Sequence, residues 1–517
     1  MKIQLILYLC ILTIANAAVS QIKRNIIKTS DYYHKLMSGG ASKLAELNMF
    51  TTAMPKGGDL HHHYSGAIYV EIYLDWLAKL NYCVYGVDNS SLTIEKYTVE
   101  SNPSRLSSAV KSSCLTADQI RADNDFYREL LKRWSDADYA NHYHEQPPPD
   151  KQFFDTFAYF SPINMDSNYN DGLMWIKNRA LDENIQYIET MLRGGPNFAV
   201  SSSLDATINA LTSQTSDTNL EKAFTSYYNL ISKNTTISNS INTYIKSIET
   251  AMNQINDANF TLRFQSYVTR SNSPARIFTS LYSAFTAVTR SNFIVGVNIV
   301  GPENGIVAMR DYTLHMKMFR FFKQQHPSVK LAMHAGELVM GMVPPEGLQF
   351  HIRQAVEIAG ASRIGHGIDI FYERDSYDLL KKMKDSNVAV EAILSSNQFI
   401  LGVENNEHPL LVYRAFNVPL IIATDDAGVS RSTLSNEYLM FSDRYKPSYT
   451  EVKTLVYNSI RYSFLNDSDK QTHLNDLDAR FIVFEQKMAD IANVVNHADS
   501  LSSKMFLFSF IIFFFSI

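Results

Sequence analysis

Eight short apolar segments, separated by longer segments with helical spacing, dominate the central part of the chain. Each apolar segment is rich in β-branched or aromatic residues and ends in polar residues or glycine. In residues 311–325, for example, Leu314, Met318 and Phe321 share one helical face. Strands that alternate with helices predict a parallel sheet, and eight such units predict an α/β fold of the (β/α)₈ TIM-barrel type. The predicted strands are 54–63, 185–192, 260–269, 293–301, 330–337, 363–368, 388–396 and 419–426.

The chain of 517 residues is longer than one such barrel needs, since about 250 residues are typical. We predict an N-terminal helical extension at residues 18–50 and the barrel at 51–495. The excess length lies in two insertions, at about 75–150 and 201–259. The first contains two cysteines, and the second is rich in Ser, Thr and Asn with apolar residues at helical spacing.

Both ends of the chain have the composition of targeting signals. Residues 1–17 combine Lys2, an apolar stretch and Ala15-Asn16-Ala17, which predicts a secretory signal peptide; a buried N-terminal helix is the alternative. Residues 496–517 end in MFLFSFIIFFFSI behind small polar residues, which resembles a GPI-attachment signal. A short tail anchor or a frayed apolar end are the alternatives. Together the two ends predict an extracellular protein, secreted or held at the outer membrane leaflet by a lipid anchor.

Cysteines and glycosylation sequons agree with that compartment. Removal of residues 1–17 leaves only Cys83 and Cys114, which predicts a disulfide in the first insertion, with two free buried thiols as the alternative. Four Asn-X-Ser/Thr sequons predict a glycoprotein. They begin at Asn89, Asn234, Asn259 and Asn466.

Composition excludes several classes of protein. The apolar fraction of 45% is too high for a disordered chain. Because 47 basic residues face 52 acidic ones, there is no positive excess to hold a nucleic-acid backbone. Three cysteines are too few for a Cys-rich zinc module.

Histidines and acidic residues cluster where the predicted strands end. The C-terminal ends of barrel strands form one face, and active sites of such barrels lie there. His61 and His63 alternate on the first strand and therefore share a face, while His62 points away. His334 and Asp425 end later strands. Imidazole suits zinc, so these four residues predict a site for one Zn²⁺ per chain; isolated structural histidines are the alternative.

Three further polar residues lie beside these candidate ligands. Glu337 follows His334 by three positions and could move a proton between water and substrate, or could only orient His334. His366 could stabilise an attacking hydroxide, or could be a packed histidine at the barrel mouth. Asp426 could hydrogen-bond a substrate nitrogen, or could cap a helix that starts near Val429.

The motifs MPKGGDLHHHYSGA, HAGE, GHGID, SSNQ and ATDDAG, in this order, resemble the adenosine deaminase family of zinc amidohydrolases. The signal peptide and the extra segments resemble its extracellular branch, the adenosine deaminase-related growth factors. The resemblance implies hydrolytic deamination of adenosine, and of 2′-deoxyadenosine, to inosine and ammonia. It implies zinc ligation by His61, His63, His334 and Asp425.

The resemblance also implies roles for the remaining site residues. Glu337 would donate a proton to N1 of the purine, His366 would orient the hydroxide, and Asp426 would hydrogen-bond N7. The backbone N–H of Gly301 would meet N3. The small intracellular members of the family have Asp, which contacts the ribose, at the position of Ser65, so ribose recognition here must differ.

Two other functions remain open at this point. The first is a growth factor that binds a cell-surface receptor on a deaminase scaffold. The second is a related amidohydrolase that acts on another purine. A homodimer formed through the helical extension is a further expectation.

Overall fold

The structure, a computed structural model, describes residues 2–39, 41–87, 96–137, 139 and 147–514. Its centre is a parallel sheet of eight strands in chain order, which confirms the predicted (β/α)₈ barrel. A separate antiparallel pair, β2 and β3, lies in the first insertion. The strands are β1 (Gly57–His63), β2 (Cys83–Val87), β3 (Lys96–Glu100), β4 (Ile185–Met191), β5 (Thr261–Thr269), β6 (Ile294–Val300), β7 (Lys330–Ala335), β8 (Arg363–His366), β9 (Ala389–Ala392) and β10 (Leu420–Ile422).

Helices surround the barrel and build the extension and both insertions. The α-helices are α1 (Lys2–Met37), α2 (Leu44–Ala53), α3 (Tyr64–Ala67), α4 (Val70–Leu80), α5 (Ser108–Lys111), α6 (Ala117–Ala122), α7 (Asn124–Trp134), α8 (Pro149–Phe160), α9 (Tyr169–Asp182), α10 (Ser202–Asn209), α11 (Asp217–Ile231), α12 (Thr235–Ala251), α13 (Pro274–Arg290), α14 (Ile306–Gln325), α15 (His351–Gln354), α16 (Ser376–Asp385), α17 (Leu394–Leu401), α18 (Leu410–Ala415), α19 (Leu434–Tyr445), α20 (Tyr449–Arg461) and α21 (Asp467–Phe514). Short 3₁₀ turns are Pro103–Arg105, Asp166–Asn168, Pro345–Leu348, Ile368–Phe371 and Asn405–Glu407, and Ala355–Ala359 is a π-helical turn.

The last and first barrel strands meet at the segment that follows β10. The backbone N–H of Asp425 donates to the carbonyl of His61 at 2.8 Å, and the N–H of His63 donates to the carbonyl of Asp425 at 3.2 Å. These two bonds form a parallel bridge that joins the sheet edges. The closure therefore places three of the candidate ligands on adjacent backbone.

The observed strands begin later or end earlier than the sequence pattern predicts. The clearest case is the seventh, predicted at 388–396, because the strand ends at Ala392 and helix α17 begins at Leu394. Ser396 therefore lies on a helix rather than on a strand. The helix-capping alternative for Asp426 is also wrong, since the next helix begins at Leu434 and Thr433 caps it.

The first insertion contains the β2–β3 hairpin and helices α5 to α7. A disulfide joins Cys83 on β2 to Cys114, which confirms the predicted pairing. The second insertion forms three helices, α10 to α12, whose buried apolar faces pack onto the barrel layer. Asn89 lies outside the described residues.

The N-terminal helix α1 packs along α21, the last helix of the chain. The buried hydroxyl of Thr29 donates to the carbonyl of Glu485, and the Tyr33 hydroxyl donates to Ser442. These contacts attach the helical extension to the barrel. Over the described ranges, no helix is long and apolar enough to cross a membrane.

Candidate active site

Three imidazoles and one carboxylate meet at the C-terminal mouth of the barrel. His61 and His63 come from β1, His334 from β7, and Asp425 follows β10. Nε2 of His334 lies 3.0 Å from Nε2 of His61 and 3.1 Å from Nε2 of His63. Oδ1 of Asp425 lies 3.5 Å and 3.2 Å from the same two atoms. The four predicted ligand atoms thus surround one point.

These separations match the edges of a small metal tetrahedron. Zinc–nitrogen and zinc–oxygen bonds of about 2.0–2.1 Å place tetrahedral ligand atoms roughly 3.3 Å apart. A wider grouping of ligand atoms, all within 4.8 Å of one another, also takes in His366 with His61, His334 and Asp425. The donor set of nitrogen and oxygen, nearly all of it buried, therefore fits a divalent metal ion.

Hydrogen bonds on the far side of two rings fix their tautomers. Nδ1 of His61 donates to Oε2 of Glu391 at 2.7 Å, and Nδ1 of His334 donates to Oδ1 of Asn298 at 2.9 Å. If both rings are neutral, their Nε2 lone pairs face each other at 3.0 Å, which requires a positive charge between them. A metal ion held by both nitrogens and by Asp425 supplies that charge, so the buried network fits a metal site.

The amide orientation of Asn298 follows from its neighbours. Its Nδ2 donates to Oε1 of Gln265, whose own Nε2 donates to the carbonyl of Leu60 and to Glu189. A carbonyl and a carboxylate can only accept, so the chain of donors has one direction. Oδ1 of Asn298 is therefore the atom that accepts from His334.

Backbone strain is stored next to the cluster. His366 has φ of 67° and Asp425 has φ of 61°, a left-handed region that non-glycine residues seldom occupy. Such strain costs about 1–3 kcal/mol per residue and concentrates at functional sites. Ser396 Oγ donates to Oδ2 of Asp425 at 2.8 Å, which leaves Oδ1 directed at the histidines.

His366 is held beside the cluster by α17. Nδ2 of Asn397 donates to Nδ1 of His366 at 3.0 Å, so the proton of the neutral ring is on Nε2. Burial lowers the pKa of His366 to about 3, which favours this neutral form. Nε2 lies 3.7 Å from Oε1 of Glu337. His366 therefore presents an N–H donor at the site.

A buried carboxylate anchors the loop that carries Glu337. Oε1 and Oε2 of Glu303 accept the backbone N–H groups of Gly336 and Glu337 at 3.2 Å and 2.9 Å. Glu303 also accepts from Nδ1 of His351 and lies 3.4 Å from the Arg270 guanidinium. These contacts lower the pKa of Glu303 to about 2, although burial acts in the opposite direction.

The two candidate substrate-facing acids are buried and favour their protonated forms. Burial, followed by the negative charges of Asp425 and Glu303, raises the pKa of Glu337 to about 8. Burial and the charge of Asp425 also raise the pKa of Asp426 well above its ordinary value. Oδ1 of Asp426 has no hydrogen-bond partner among the described atoms. Both carboxyl groups can thus donate a hydrogen bond to a ligand.

A glycine makes room for Asp426. A Cβ atom on Gly66 would lie 1.6 Å from Oδ1 of Asp426, so no other residue fits there without moving that carboxyl. The carbonyl of Gly66 accepts the N–H groups of Gly428 and Val429 at 2.8 Å and 2.9 Å. These two hydrogen bonds therefore hold helix α3 against the segment after β10.

A cavity of about 340 Å³ opens directly onto the cluster. Its polar end is formed by five candidate ligand and catalytic residues together with Asp426. Three phenylalanines of α8, the helix that begins where the first insertion ends, form an aromatic wall of the cavity. The lining residues are His63, Ser65, Phe153, Phe154, Phe157, Met191, Tyr267, Thr269, Val300, Gly301, Pro302, His334, Glu337, His366, Asp425 and Asp426.

The structure thus brings together the residues singled out from the sequence, Ser65 and Gly301 included. Gly301 lines the cavity with φ of 96°, and a Cβ atom there would make ordinary contacts with Thr269 and Arg270 at 3.7 Å and 3.9 Å. His62 is directed away, and its Nδ1 lies 2.9 Å from Thr190 Oγ1. Among the sequons, Asn259 and Asn466 are exposed, whereas Asn234 is half-buried and caps α12.

Sequence reasoning missed the groups that support the site. Glu391, Asn298 and Glu303 are buried polar residues next to apolar ones, a pattern that could have marked them as partners of buried charges. The aromatic wall formed by Phe153 and Phe157 was also missed, because it depends on how the insertion folds over the barrel mouth.

Comparisons with known proteins agree with this geometry. The family model described as adenosine deaminase matches residues 228–480, which include His334, Glu337, His366 and Asp425. An adenosine deaminase of Clostridium perfringens is 30% identical over 177 residues, 34% of this chain and 51% of that protein. The chain thus spans about half the length of the curated relatives it matches.

Solved structures share the fold. An N6-mAMP deaminase from Arabidopsis has a TM-score of 0.53 at 16% identity and covers 83% of this chain and 99% of its own. An amidohydrolase from Burkholderia ambifaria with bound Zn has a TM-score of 0.50 at 14% identity, with coverages of 86% and 94%. The family-model match over residues 228–480 and the curated relatives show that the chain is similar to the adenosine deaminase family.

Proposed function

We propose that this chain is a zinc-dependent hydrolytic deaminase that converts adenosine, and 2′-deoxyadenosine, to inosine and ammonia. The observation that carries the proposal is that four candidate ligand atoms surround one point beside a cavity lined by three further polar side chains. The family-model match and the similarity to curated adenosine deaminases support the reaction type. The cavity volume of about 340 Å³ is within the usual range for small-molecule sites.

Zinc is the metal that the ligand set favours. Three imidazoles and one carboxylate in a compact arrangement are typical ligands of zinc in hydrolytic sites. When bound, zinc supplies Lewis acidity that makes hydroxide available near neutral pH. Glu391 and Asn298 orient His61 and His334, as partners of metal-bound histidines commonly do.

The remaining polar groups complement an adenine ring. N1 and N7 of adenine are both hydrogen-bond acceptors, so each needs a donor. A protonated Glu337 can donate to N1 and so raise the electrophilicity of C6. A protonated Asp426 can donate to N7, which gives a partner to its otherwise unpaired Oδ1. The backbone N–H of Gly301 is available to N3.

Proton transfer in the reaction balances with these residues. Hydrolysis adds water at C6 and releases the amino group as ammonia. Glu337 gives its proton to the ring nitrogen, takes one from the attacking water, and passes it to the departing nitrogen. The proton of the C6 hydroxyl then returns to Glu337 as the carbonyl of inosine forms, which restores the protonated carboxyl. The Nε2–H of His366 orients the attacking oxygen. The aromatic wall from α8 excludes bulk water from the polar end of the cavity.

A direct assay tests the proposal. The full chain, expressed in a eukaryotic secretory host, is stripped of metal, reloaded with zinc and mixed with adenosine. The ultraviolet spectrum follows the loss of adenosine, and chromatography identifies inosine. Zinc-dependent formation of inosine and ammonia is the expected result. A folded, zinc-loaded protein that leaves adenosine and 2′-deoxyadenosine unchanged would contradict the proposal, and a panel of other purines would then be tested.

We also propose that the protein acts outside the cell. The Cys83–Cys114 disulfide is typical of oxidising compartments, and Asn259 and Asn466 are exposed for glycosylation. If residues 496–517 are replaced by a lipid anchor, a phosphatidylinositol-specific phospholipase should release active protein from the cell surface. Recovery of the enzyme only from the cytosol, without glycans, would contradict this proposal.

A further inference from the structure

A second cavity, of about 690 Å³, lies at the opposite end of the barrel from the candidate active site. Lys330 begins β7, and Ser362 and Val388 directly precede β8 and β9. These positions mark the N-terminal ends of the strands. Helices α20 and α21 complete the wall with Arg461 and Lys470.

The charged residues that line this cavity all have the same sign. Lys330, Lys382, Arg461 and Lys470 enter from four different elements, and none of the lining residues is acidic. Hydroxyl and amide donors stand between them. These donors are Ser362, Ser386 and Asn387. A concave surface of this composition presents hydrogen-bond donors and positive charge to whatever occupies it.

Protein carboxylates leave most of this charge uncompensated. Within the ranges that the structure describes, no carboxylate lies at ion-pair distance from Lys330, Arg461 or Lys470. Lys382 alone has such a partner, since its Nζ lies 3.1 Å from Oε1 of Glu357. Glu357 is shared with Arg353 at 2.7 Å, so two cations divide one negative charge.

Like charges also approach one another across the cavity. Burial lowers the pKa of Lys470, and Asp467 and Glu189 partly offset this effect. The positive charges of Lys330 and Arg363 lower the same pKa further, although each acts less than burial or the two carboxylates. An anion between these side chains would relieve the repulsion and satisfy donors that now face solvent.

We propose that this cavity is a binding site for an anion that carries at least two phosphate or sulfate groups. Four cations on separate elements suit several anionic groups better than one. Arg and Lys are the residues that most often bind such groups. Because the chain has a net charge of −5, general affinity for polyanions cannot account for binding here.

The test uses two triple variants of equal charge change. Lys330→Gln, Arg461→Gln and Lys470→Gln together remove the uncompensated cavity cations. Their control removes three exposed cations elsewhere, by Lys111→Gln, Lys222→Gln and Lys246→Gln. Calorimetric titrations with tripolyphosphate, a heparin-derived tetrasaccharide and inorganic phosphate report the affinity. The first two probes separate a phosphate ligand from a sulfate ligand.

We expect the unmodified protein and the control to bind tripolyphosphate or the tetrasaccharide more tightly than inorganic phosphate. The cavity variant should bind at least about tenfold more weakly, because it lacks three of the four cations that line the site. No binding by the unmodified protein, or equal losses in both variants, would overturn the proposal.

A second measurement uses only the unmodified protein and therefore does not require that the variants fold. Lysine acetylation of the unmodified protein, read by mass spectrometry, should slow at Lys330 and Lys470 when the bound probe is present. It should stay unchanged at Lys111 and Lys222. Equal acetylation at all four lysines, with and without the probe, would also overturn the proposal.

Discussion

Nδ1 of His61 lies 2.7 Å from Oε2 of Glu391, and both side chains are fully buried. The other oxygen of Glu391 accepts from Nε of Arg363, whose Nη2 reaches Glu189 at 2.6 Å. Strand β1 thus supplies the candidate ligand, and Glu391 on β9 sets its tautomer. The relationship makes Glu391 a positioning residue for the metal site.

Replacement of Glu391 should therefore weaken metal binding without removing a ligand. We expect Glu391→Gln to lower zinc affinity by about 10–100-fold, the usual effect of losing a partner of a metal-bound histidine. Competition with a fluorescent chelator measures this affinity. Glu407→Gln, at an exposed site, is the control and should bind zinc as tightly as the parent. Equal affinity in the two variants would exclude the positioning role.

Gly365 should be essential for the position of His61. A Cβ atom at Gly365 would lie 2.5 Å from Cε1 and 2.7 Å from Nδ1 of the His61 ring, closer than real contacts allow. We expect Gly365→Ala to displace the ring and to lower both zinc content and deamination by at least about tenfold. Gly341→Ala, where nothing lies within 4 Å, is the matched control. Normal zinc content in Gly365→Ala would contradict the geometry described for this ring.

Glu303 should affect turnover through the loop that carries Glu337. Its two oxygens hold consecutive backbone N–H groups, so Glu303→Gln replaces one acceptor by a donor that cannot make the same bond. We expect kcat to fall by about ten- to a hundredfold with zinc content unchanged. Steady-state kinetics and metal analysis measure the two quantities, with exposed Glu249→Gln as the control. If Glu303→Gln lowers the thermal stability but leaves kcat unchanged, the prediction is wrong and the role of Glu303 is purely structural.

Glu373 should make the fold less stable as the pH rises. Burial raises its pKa from 4.5 to about 7, so between these values the folded state binds the proton more tightly than the unfolded state. Stability contributed by protonated Glu373 is present at pH 5 and lost as the pH rises through about 7. Glu373→Gln keeps the acceptor for the Arg353 N–H and removes the titration.

Urea unfolding at pH 5 and pH 8 measures this effect. The decrease in unfolding free energy between the two pH values should be smaller in Glu373→Gln than in the parent, by about 2–3 kcal/mol. An identical decrease in both proteins would show that the Glu373 carboxyl ionises at its ordinary pH in the folded state.

The barrel and the convergence of the site residues could be predicted because both follow from periodicity. Strand ends of a (β/α)₈ barrel share one face, so His61, His334 and Asp425 had to approach one another once the strands were placed. The strand limits were less accurate. Residues 393–396 are apolar or small, a composition that fits either a strand or a helix. The helix forms here because Glu437 accepts the N–H groups of Leu394 and Ser395 in its first turn.

The supporting groups could not be predicted, because their partners are distant in the sequence. Glu391 is 330 residues from His61, and the chain alone gives no distance between them. The aromatic wall from α8 likewise depends on packing of an insertion rather than on any local pattern. The cluster of cations at the other end of the barrel could not be predicted for the same reason, because its members come from four separate elements.

The proton-donating role of Glu337 is the most direct test of the mechanism. Initial rates of adenosine deamination by zinc-loaded parent, Glu337→Gln and the exposed control Glu346→Gln should be measured together with zinc content. We predict equal zinc in all three proteins, full activity in Glu346→Gln, and a rate at least about a hundredfold lower in Glu337→Gln. Near-parental turnover by zinc-loaded Glu337→Gln would contradict the proposed mechanism.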